Sequence, residues 1–460
     1  MGYLEIVIIT SAAVGALLGL MMLHFLVYAV IGIFARKIFP KADVKLKYGI
    51  IISARNEEKV IGKLIESVRK CDYPQELADI FVVAHNCTDA TAEVSRNAGA
   101  IVYEYDNPEE RTVGYAYRHL FRMIECDYGT ENYDGFLILN ADNVVTENYL
   151  EKMNDAFVAC GKKCVITSYR NSKNFGENAM SCLYGFFFVA ACRLESRGRT
   201  VCGCSTRVSG TGYLMPSSTV KDGVWDYVTL TEDWEFSADQ ITQRHKIVYC
   251  DEAMFYDEQP TTFKIMWRQR MRWGKGHMDV FFTRFKKLFV SIFKRAPLLE
   301  EQTDYPPHEQ GKAKKKRKRE RGWFMSSYNM ALEVMPLGVI SVVLWLVQVI
   351  LIALSPAFGY DAASVWRMWG IVTGICVGAS YVVTVLSAVL LFALEHKRIG
   401  KVRFFTLLLA FLTWPFFLIL AVVIDVLVLF VKKIEWKPIP HRYNKDEPAA
   451  TTETTEDRIP

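Results

Sequence analysis

The chain has 460 residues, 51% of them hydrophobic, and its 55 Lys and Arg against 50 Asp and Glu leave a formal net charge of only +5. A positive mean hydropathy argues against a purely soluble enzyme and for a soluble domain of ordinary size joined to several membrane spans. The run Lys314, Lys315, Lys316, Arg317, Lys318, Arg319 has the composition of a localisation signal or a nucleic-acid patch. It stands about a dozen residues before an apolar stretch, however, and is better explained as a cytosolic anchor, so nucleic acid is not an expected partner.

In chain order, 4–35 is apolar apart from Glu5 and ends at Arg36 and Lys37. It exceeds the roughly 20 residues a span requires and lacks the basic start and short core of a cleaved signal. The Lys and Arg that follow it place the next domain in the cytosol. Eleven cysteines with no CxxC pair fit free thiols in that compartment, where the sequon Asn86-Cys87-Thr88 has no bearing. From Tyr48 short apolar runs alternate with amphipathic segments. Strands are expected at 49–53, 80–84, 101–105 and 135–140, and helices at 57–70, 88–98 and 114–126. This order predicts an α/β domain with a mainly parallel sheet, whose ligands gather at the carboxyl ends of the strands.

Residues 234–241 read as an amphipathic segment. From 263 the chain turns basic and aromatic, as helices in a headgroup layer do. A polar linker follows at 297–321, and then apolar stretches at 331–357, 365–394 and 403–431. The domains expected are a membrane anchor at 1–47, a cytosolic catalytic domain at 48–262, interfacial helices and linker at 263–330, membrane helices at 331–431 and a polar tail at 432–460. Cations flank both ends of 403–431 and Pro415 lies within it. The expectation is that this stretch enters and returns as a broken hairpin, leaving the tail cytosolic.

Three clusters carry chemistry. Asp142, after the fourth strand in Asn140-Ala141-Asp142-Asn143, can hold a divalent cation whose other positions go to a diphosphate, although an ordinary strand-end turn uses the same residues. Thr231-Glu232-Asp233 can supply one base for an acceptor hydroxyl, or merely acidic residues favoured at a helix start. Gln269-Arg270-Met271-Arg272-Trp273 offers guanidinium to a diphosphate and an indole to a sugar face, and equally suits an interfacial helix.

Together with Ser53-Ala54-Arg55-Asn56-Glu57-Glu58, Asn86-Cys87-Thr88-Asp89, Gly210-Thr211-Gly212 and Asp257-Glu258-Gln259-Pro260, these clusters resemble, in the same order, the motifs of the family-2 inverting glycosyltransferases. They are most similar to the membrane polysaccharide synthases of cellulose and poly-N-acetylglucosamine type. The resemblance implies a GT-A domain, Mg²⁺ or Mn²⁺ on Asp142, and transfer of glucose or N-acetylglucosamine from a UDP-sugar to a growing β-linked glycan at the cell membrane. A non-processive transfer to a lipid or lipid-linked acceptor is the alternative. It also implies Arg55 and Glu57 at the uridine, Asp89 near the nucleotide, Gly210, Thr211 and Gly212 beside the acceptor, Asp233 as base next to Glu232 and Thr231, Gln269, Arg270 and Arg272 on diphosphate and acceptor, and Trp273 under the acceptor sugar. Two positions depart from the pattern. His85 stands where an aspartate commonly meets the uracil, and Asn140 replaces the first aspartate of the metal motif.

Overall fold

The computed structural model describes residues 2–295, 322–432 and 434. The linker at 297–321 with its basic run, and the tail cations Lys433, Lys437, His441, Arg442 and Lys445, lie outside the described residues. The first helix, α1 (Tyr3–Phe34), is followed by an eight-stranded sheet: β1 (Tyr48–Ala54), β2 (Ala78–His85), β3 (Ile101–Tyr105), β4 (Gly135–Asn140), β5 (Val144–Val145), β6 (Val165–Ser172), β7 (Tyr213–Pro216) and β8 (Ile247–Asp257). Their order is β3-β2-β1-β4-β7-β6-β8-β5. β3, β2, β1 and β4 run parallel, as do β6 and β8, while β7 is antiparallel to both its neighbours.

The Ile50-Ile51-Ile52 run of β1 is wholly buried because helices cover both faces, the reason central parallel strands read as unbroken apolar sequence. Ile50 and Ile52 pack with α2 (Ile61–Arg69), and Ile51 with α4 (Val113–Tyr128). The helix expected from Glu57 begins at Ile61. Residues 57–60 are held as a turn, with Thr91 Oγ1 accepting the Glu57 amide at 2.8 Å and Asp89 Oδ2 the Glu58 amide at 3.2 Å. Likewise α3 (Thr91–Asn97) is shorter than expected, because Asp89 and Thr91 form the clasp that precedes it.

After α5 (Tyr149–Ala159), α6 (Ala179–Ala190) runs through a π-helical turn at Ala191–Ser196 into α7 (Arg197–Val201). Here the chain crosses α1 backbone to backbone. A Cβ on Gly32 would lie 2.2 Å from the Arg193 carbonyl oxygen, and one on Gly198 would lie 2.1 Å from that of Tyr28. Only glycine at both positions permits this approach.

Next come α8 (Glu232–Thr242), α9 (Phe263–Phe293), α10 (Trp323–Val334), α11 (Leu337–Ala353), α12 (Ala362–Ile399) and α13 (Phe404–Leu427). Among the described residues α1, α12 and α13 are long and apolar enough to cross a membrane, and α10 with α11 forms a further pair bent by 67°. The expected hairpin at 403–431 is not found, because α13 runs through Pro415 as one 24-residue helix. Proline withdraws one amide, but carbonyls on either side of it are met from outside. The Tyr381 hydroxyl donates to Leu412 O at 2.9 Å and Arg270 Nη1 donates to Phe417 O at 3.0 Å, ties that hold α13 to α12 and α9 on either side of the proline. The break falls instead at Met335-Pro336, where the residue before proline is driven out of the helical region and Met335 has ψ 135°.

One buried charge cluster joins these parts. Asp251 of β8 accepts from Arg197 Nη2 at 2.6 Å, Arg398 Nη2 of α12 at 3.0 Å and the Tyr249 hydroxyl at 3.1 Å, with Arg36 3.9 Å away. Glu395 of α12 accepts from the Tyr169 hydroxyl at 3.0 Å and pairs with Arg193. Burial alone would raise the Asp251 carboxyl, but Arg398 and Arg197 hold it below its usual range. Removing the charge leaves the buried Arg197 guanidinium and the part-exposed one of Arg398 only their longer approaches to Glu395, 4.0 and 3.7 Å. Asp251→Asn should therefore lower stability by about 3 to 5 kcal/mol, read as an earlier thermal melt of the detergent-purified chain; an unchanged melt would show that the cluster does not hold the two halves together.

Candidate active site

The carboxyl ends of β1, β2 and β4 open on a crevice of about 280 Å³ whose opposite wall is α8 and α9. Arg55, Glu57 and His85 line one end, Asn140 and Asp142 the floor, and Gly210, Thr231, Glu232, Asp233, Gln269, Arg272 and Trp273 the far side.

At the strand ends, Arg55 Nε donates to the His85 carbonyl at 3.0 Å, and Arg55 Nη2 stands 3.0 Å from His85 Nδ1. His85 Nε2 lies 2.7 Å from the Glu110 carbonyl oxygen, so that nitrogen carries the proton and Nδ1 accepts from Arg55. Burial, reinforced by Arg55, pushes His85 down to about 4, so the ring is neutral. Its one acceptor nitrogen is spent on Arg55.

On the floor, Asn143 Nδ2 donates to Asp142 Oδ1 at 3.1 Å. The Asn140 amide meets Asn143 Oδ1 at 3.0 Å and Thr211 Oγ1 at 2.9 Å. Thr211 and Gly212 thus support the crevice from behind. Gly212 has φ +69°, and a Cβ there would meet the Phe255 ring at 2.1 Å, whereas Gly210 faces the cavity beside Asp233. Asp89 is also behind the wall, clasping the turn before α3.

Asp233 sits in the first turn of α8, where the helix N-terminus favours negative charge. Arg284 of α9 fixes that helix through Glu235 at 2.8 Å and Asp239 at 3.4 Å. Burial raises both Glu232 and Asp233, and the Asp233 charge helps push Glu232 up to about 8. The Trp234 amide and Arg272 oppose the rise of Asp233. Of the two carboxyls, Asp233 is the one whose negative charge the Trp234 amide and Arg272 both support.

Along α9, Gln269, Arg272 and Trp273 face the crevice, but Arg270 does not. Its guanidinium lies 3.7 Å over the Phe417 ring and bonds to α13, because one residue of helix rotates a side chain by about 100°. Sequence reasoning missed Arg170, Arg207 and His277, which also line the crevice, and gave Asp257 no role. Arg170 donates to Asp257 Oδ2 at 2.7 Å and to Ser209 O at 2.9 Å, while burial still pushes Asp257 up to about 6. These residues come from irregular or mixed-polarity stretches with no periodic signal, though Asp257 lay inside a quoted motif.

A mostly parallel sheet that spends its strand ends on a carboxylate- and arginine-lined crevice, closed by two later helices, defines a glycosyltransferase domain of GT-A type. Residues 47–276, half of the chain, match the family described as "Glycosyltransferase like family 2", and the chain belongs to that family. A probable glycosyltransferase of Bacillus subtilis is 26% identical over 253 residues, covering 53% of this chain and 58% of that protein. A poly-β-1,6-N-acetyl-D-glucosamine synthase of Staphylococcus epidermidis is 23% identical, covering 55% and 60%. The chain thus spans less than two thirds of the length of these relatives. A mannosyltransferase of Pyrobaculum calidifontis, solved with GDP-mannose and Mn²⁺, superposes with TM-score 0.52 at 13% identity, over 86% of this chain and all of that one.

Were Asp233 the base that the resemblance implies, it would act only when unprotonated, and burial raises it. Sugar transfer should therefore fall as pH drops through a midpoint above the ordinary carboxylate range. Asp233→Asn should then cost about 10² to 10⁴ in rate with UDP binding nearly intact, whereas Glu232→Gln, which leaves the Asp233 carboxylate in place, should cost far less. Equal losses in the two variants would overturn this division of labour.

Proposed function

We propose that this protein is a membrane-embedded inverting glycosyltransferase that moves glucose or N-acetylglucosamine from a UDP-sugar onto a growing β-linked polysaccharide, processively, exporting the product through its own helices. The observation that carries the reading is the single crevice in which Asp142, Asp233 and Arg272 face one another from three different elements. The relatives named as poly-β-1,6-N-acetyl-D-glucosamine synthases support the choice of donor and product class. The three membrane-length helices and the cations after α1 support a multi-pass protein with its catalytic domain in the cytosol.

In this reading Arg55 and Glu57 hold the nucleoside end, and Gln269 and Arg272 hold diphosphate and acceptor. The Asp233 carboxylate takes the proton of an acceptor hydroxyl whose oxygen attacks the sugar C1 from the face opposite the diphosphate. The C1–oxygen bond to the diphosphate breaks, UDP departs with that electron pair, and the configuration inverts. Trp273, set edge-on to Tyr184 and Phe188 at 6.1 and 6.2 Å between ring centres, offers an apolar face to the acceptor sugar.

The residues present fit a divalent cation that arrives with the donor. No group of three or more His, Cys, Asp or Glu able to hold a metal is found among the described residues. Half-buried Asp142 supplies one carboxylate at the crevice floor, the arrangement expected where substrate phosphates complete the coordination. Asp142 would hold the ion, and Asn140 beside it can bond ribose or diphosphate without adding charge. When bound, Mg²⁺ or Mn²⁺ supplies neutralisation of the departing diphosphate.

The reading is tested by giving membranes that contain the chain labelled UDP-glucose or UDP-N-acetylglucosamine and sizing the product. A labelled polymer with either sugar supports it, and no transfer from either would end it. Activity should vanish in EDTA and return with Mg²⁺ or Mn²⁺, and Asp142→Ala should imitate the chelator; full activity in EDTA would remove the metal role. Trp273→Ala should shorten or abolish the product more than it weakens UDP binding, while unchanged chain length and rate would leave Trp273 only an interfacial anchor.

A further inference from the structure

Beyond Gln269 and Trp273 the crevice is also lined by His277, Trp234 and Arg207, which no step above uses. Gln269, Trp273 and His277 stand at four-residue intervals on α9 and so share one face, about 12 Å long at 1.5 Å per residue; all three line the cavity. Past Trp273 the helix closes tightly on the start of α8, because a Cβ on Gly276 would lie 2.6 Å from Thr231 Oγ1. That approach brings the His277 ring onto the Trp234 indole, 3.8 Å between centres. Arg207 lies 5.2 Å from the Trp234 ring and is held by Glu195 and by Glu333 of α10, each at 2.9 Å.

Neither ring nitrogen of His277 has a hydrogen-bond partner among the described residues. Burial, with the Arg207 and Arg272 guanidiniums nearby, keeps the ring neutral. A neutral imidazole offers one N–H and one lone pair, the two partners a sugar hydroxyl can use as acceptor and donor.

We propose that His277, stacked on Trp234, forms a second acceptor subsite one helical turn beyond Trp273, binding a hydroxyl of a pyranose in the acceptor glycan. Arg207 and Glu333 are positioning residues that hold the Trp234 ring against His277. The subsite deepens the transferase reading above and rests on it. A nucleotide-sugar donor enters at the strand ends, so this wall is left to the acceptor.

The experiment uses the full-length chain in detergent, the nucleotide sugar that the unaltered protein turns over, and a short β-linked oligosaccharide of its product. UDP release is measured with and without the oligosaccharide. His277→Phe keeps the ring stack but removes both nitrogens. It should raise the acceptor KM about three- to tenfold, the range of one lost neutral hydrogen bond, leaving UDP affinity and acceptor-free hydrolysis unchanged. His277→Gln, which restores a donor and an acceptor, should recover part of the loss. If the phenylalanine variant does not fold, His277→Met against His277→Gln makes the same comparison. An unchanged acceptor KM in the apolar variant, or an equal loss of UDP affinity in both variants, overturns the subsite. If the unaltered protein releases UDP from no nucleotide sugar, the transferase reading fails and takes the subsite with it, a result distinct from either of those.

Discussion

The arrangement of this protein depends on the buried contact between Asp251 and the guanidiniums of Arg197 and Arg398. Taking these charges out of water is costly, and the cost is offset only where each retains short, directed partners. The partners here come from β8, the helix after the π-turn, α12 and the end of α1, so the charges are satisfied only when all four elements meet. An apolar contact in the same place would tolerate sliding; a fork of arginines on one carboxylate does not. We take the cluster as a device for geometric uniqueness more than for raw stability. A variant that repacked it with apolar residues and kept both stability and transfer would contradict that view.

What the cluster fixes is transmitted by β8 itself. Asp251 lies in that strand, where the pairing with β6 jumps from Cys250 to Met254 in a bulge, and Asp257 at its end meets Arg170 at the crevice wall. The chain then passes directly into α9, which carries Gln269, Arg272 and Trp273. The Asp251 cluster and the α9 wall of the crevice are therefore joined through one strand and the helix that follows it. The same logic recurs around the cavity, where Arg170 with Asp257, Arg207 with Glu333 and Arg284 with Glu235 each join different elements. Asp142 and Asp233 stand outside those pairs.

The first half of the sheet was legible because its strands are continuous apolar runs covered on both faces, as Ile50 to Ile52 illustrate. β6 was not, since Thr167, Ser168, Asn171 and Ser172 are buried polar residues, Arg170 is half-buried, and the run carries no strand periodicity. The four-residue β7 is too short to show any period. Within the site, spacing along the chain identified which residues stand near one another but not which way they face. Arg270 stands between Gln269 and Arg272 in sequence yet points into α13, and Thr211 and Asp89 hold backbone rather than facing the cavity. His277 carried no motif at all, and its place is set by the missing side chain of Gly276.

The two prolines of the apolar region show why composition could not locate the break. Pro415 lies mid-stretch between flanking cations, which argues for a turn, yet neighbours in α9 and α12 supply donors to nearby carbonyls and the helix continues. Pro336 has no flanking cations, and there the chain bends by 67°. The difference lies in what the bend gains. Directly before it, in the last turn of α10, Glu333 reaches Arg207 at the crevice wall and Arg199, while beyond it Gly338 packs against the Asp425 carboxylate of α13, which a Cβ would approach to 2.6 Å. A straight helix could not satisfy both contacts, because they require α10 to lie along the catalytic domain and α11 to follow α13. The bend is thus set by the paired demands of a buried carboxylate on one side and a close helix crossing on the other, with proline supplying only the permissive backbone.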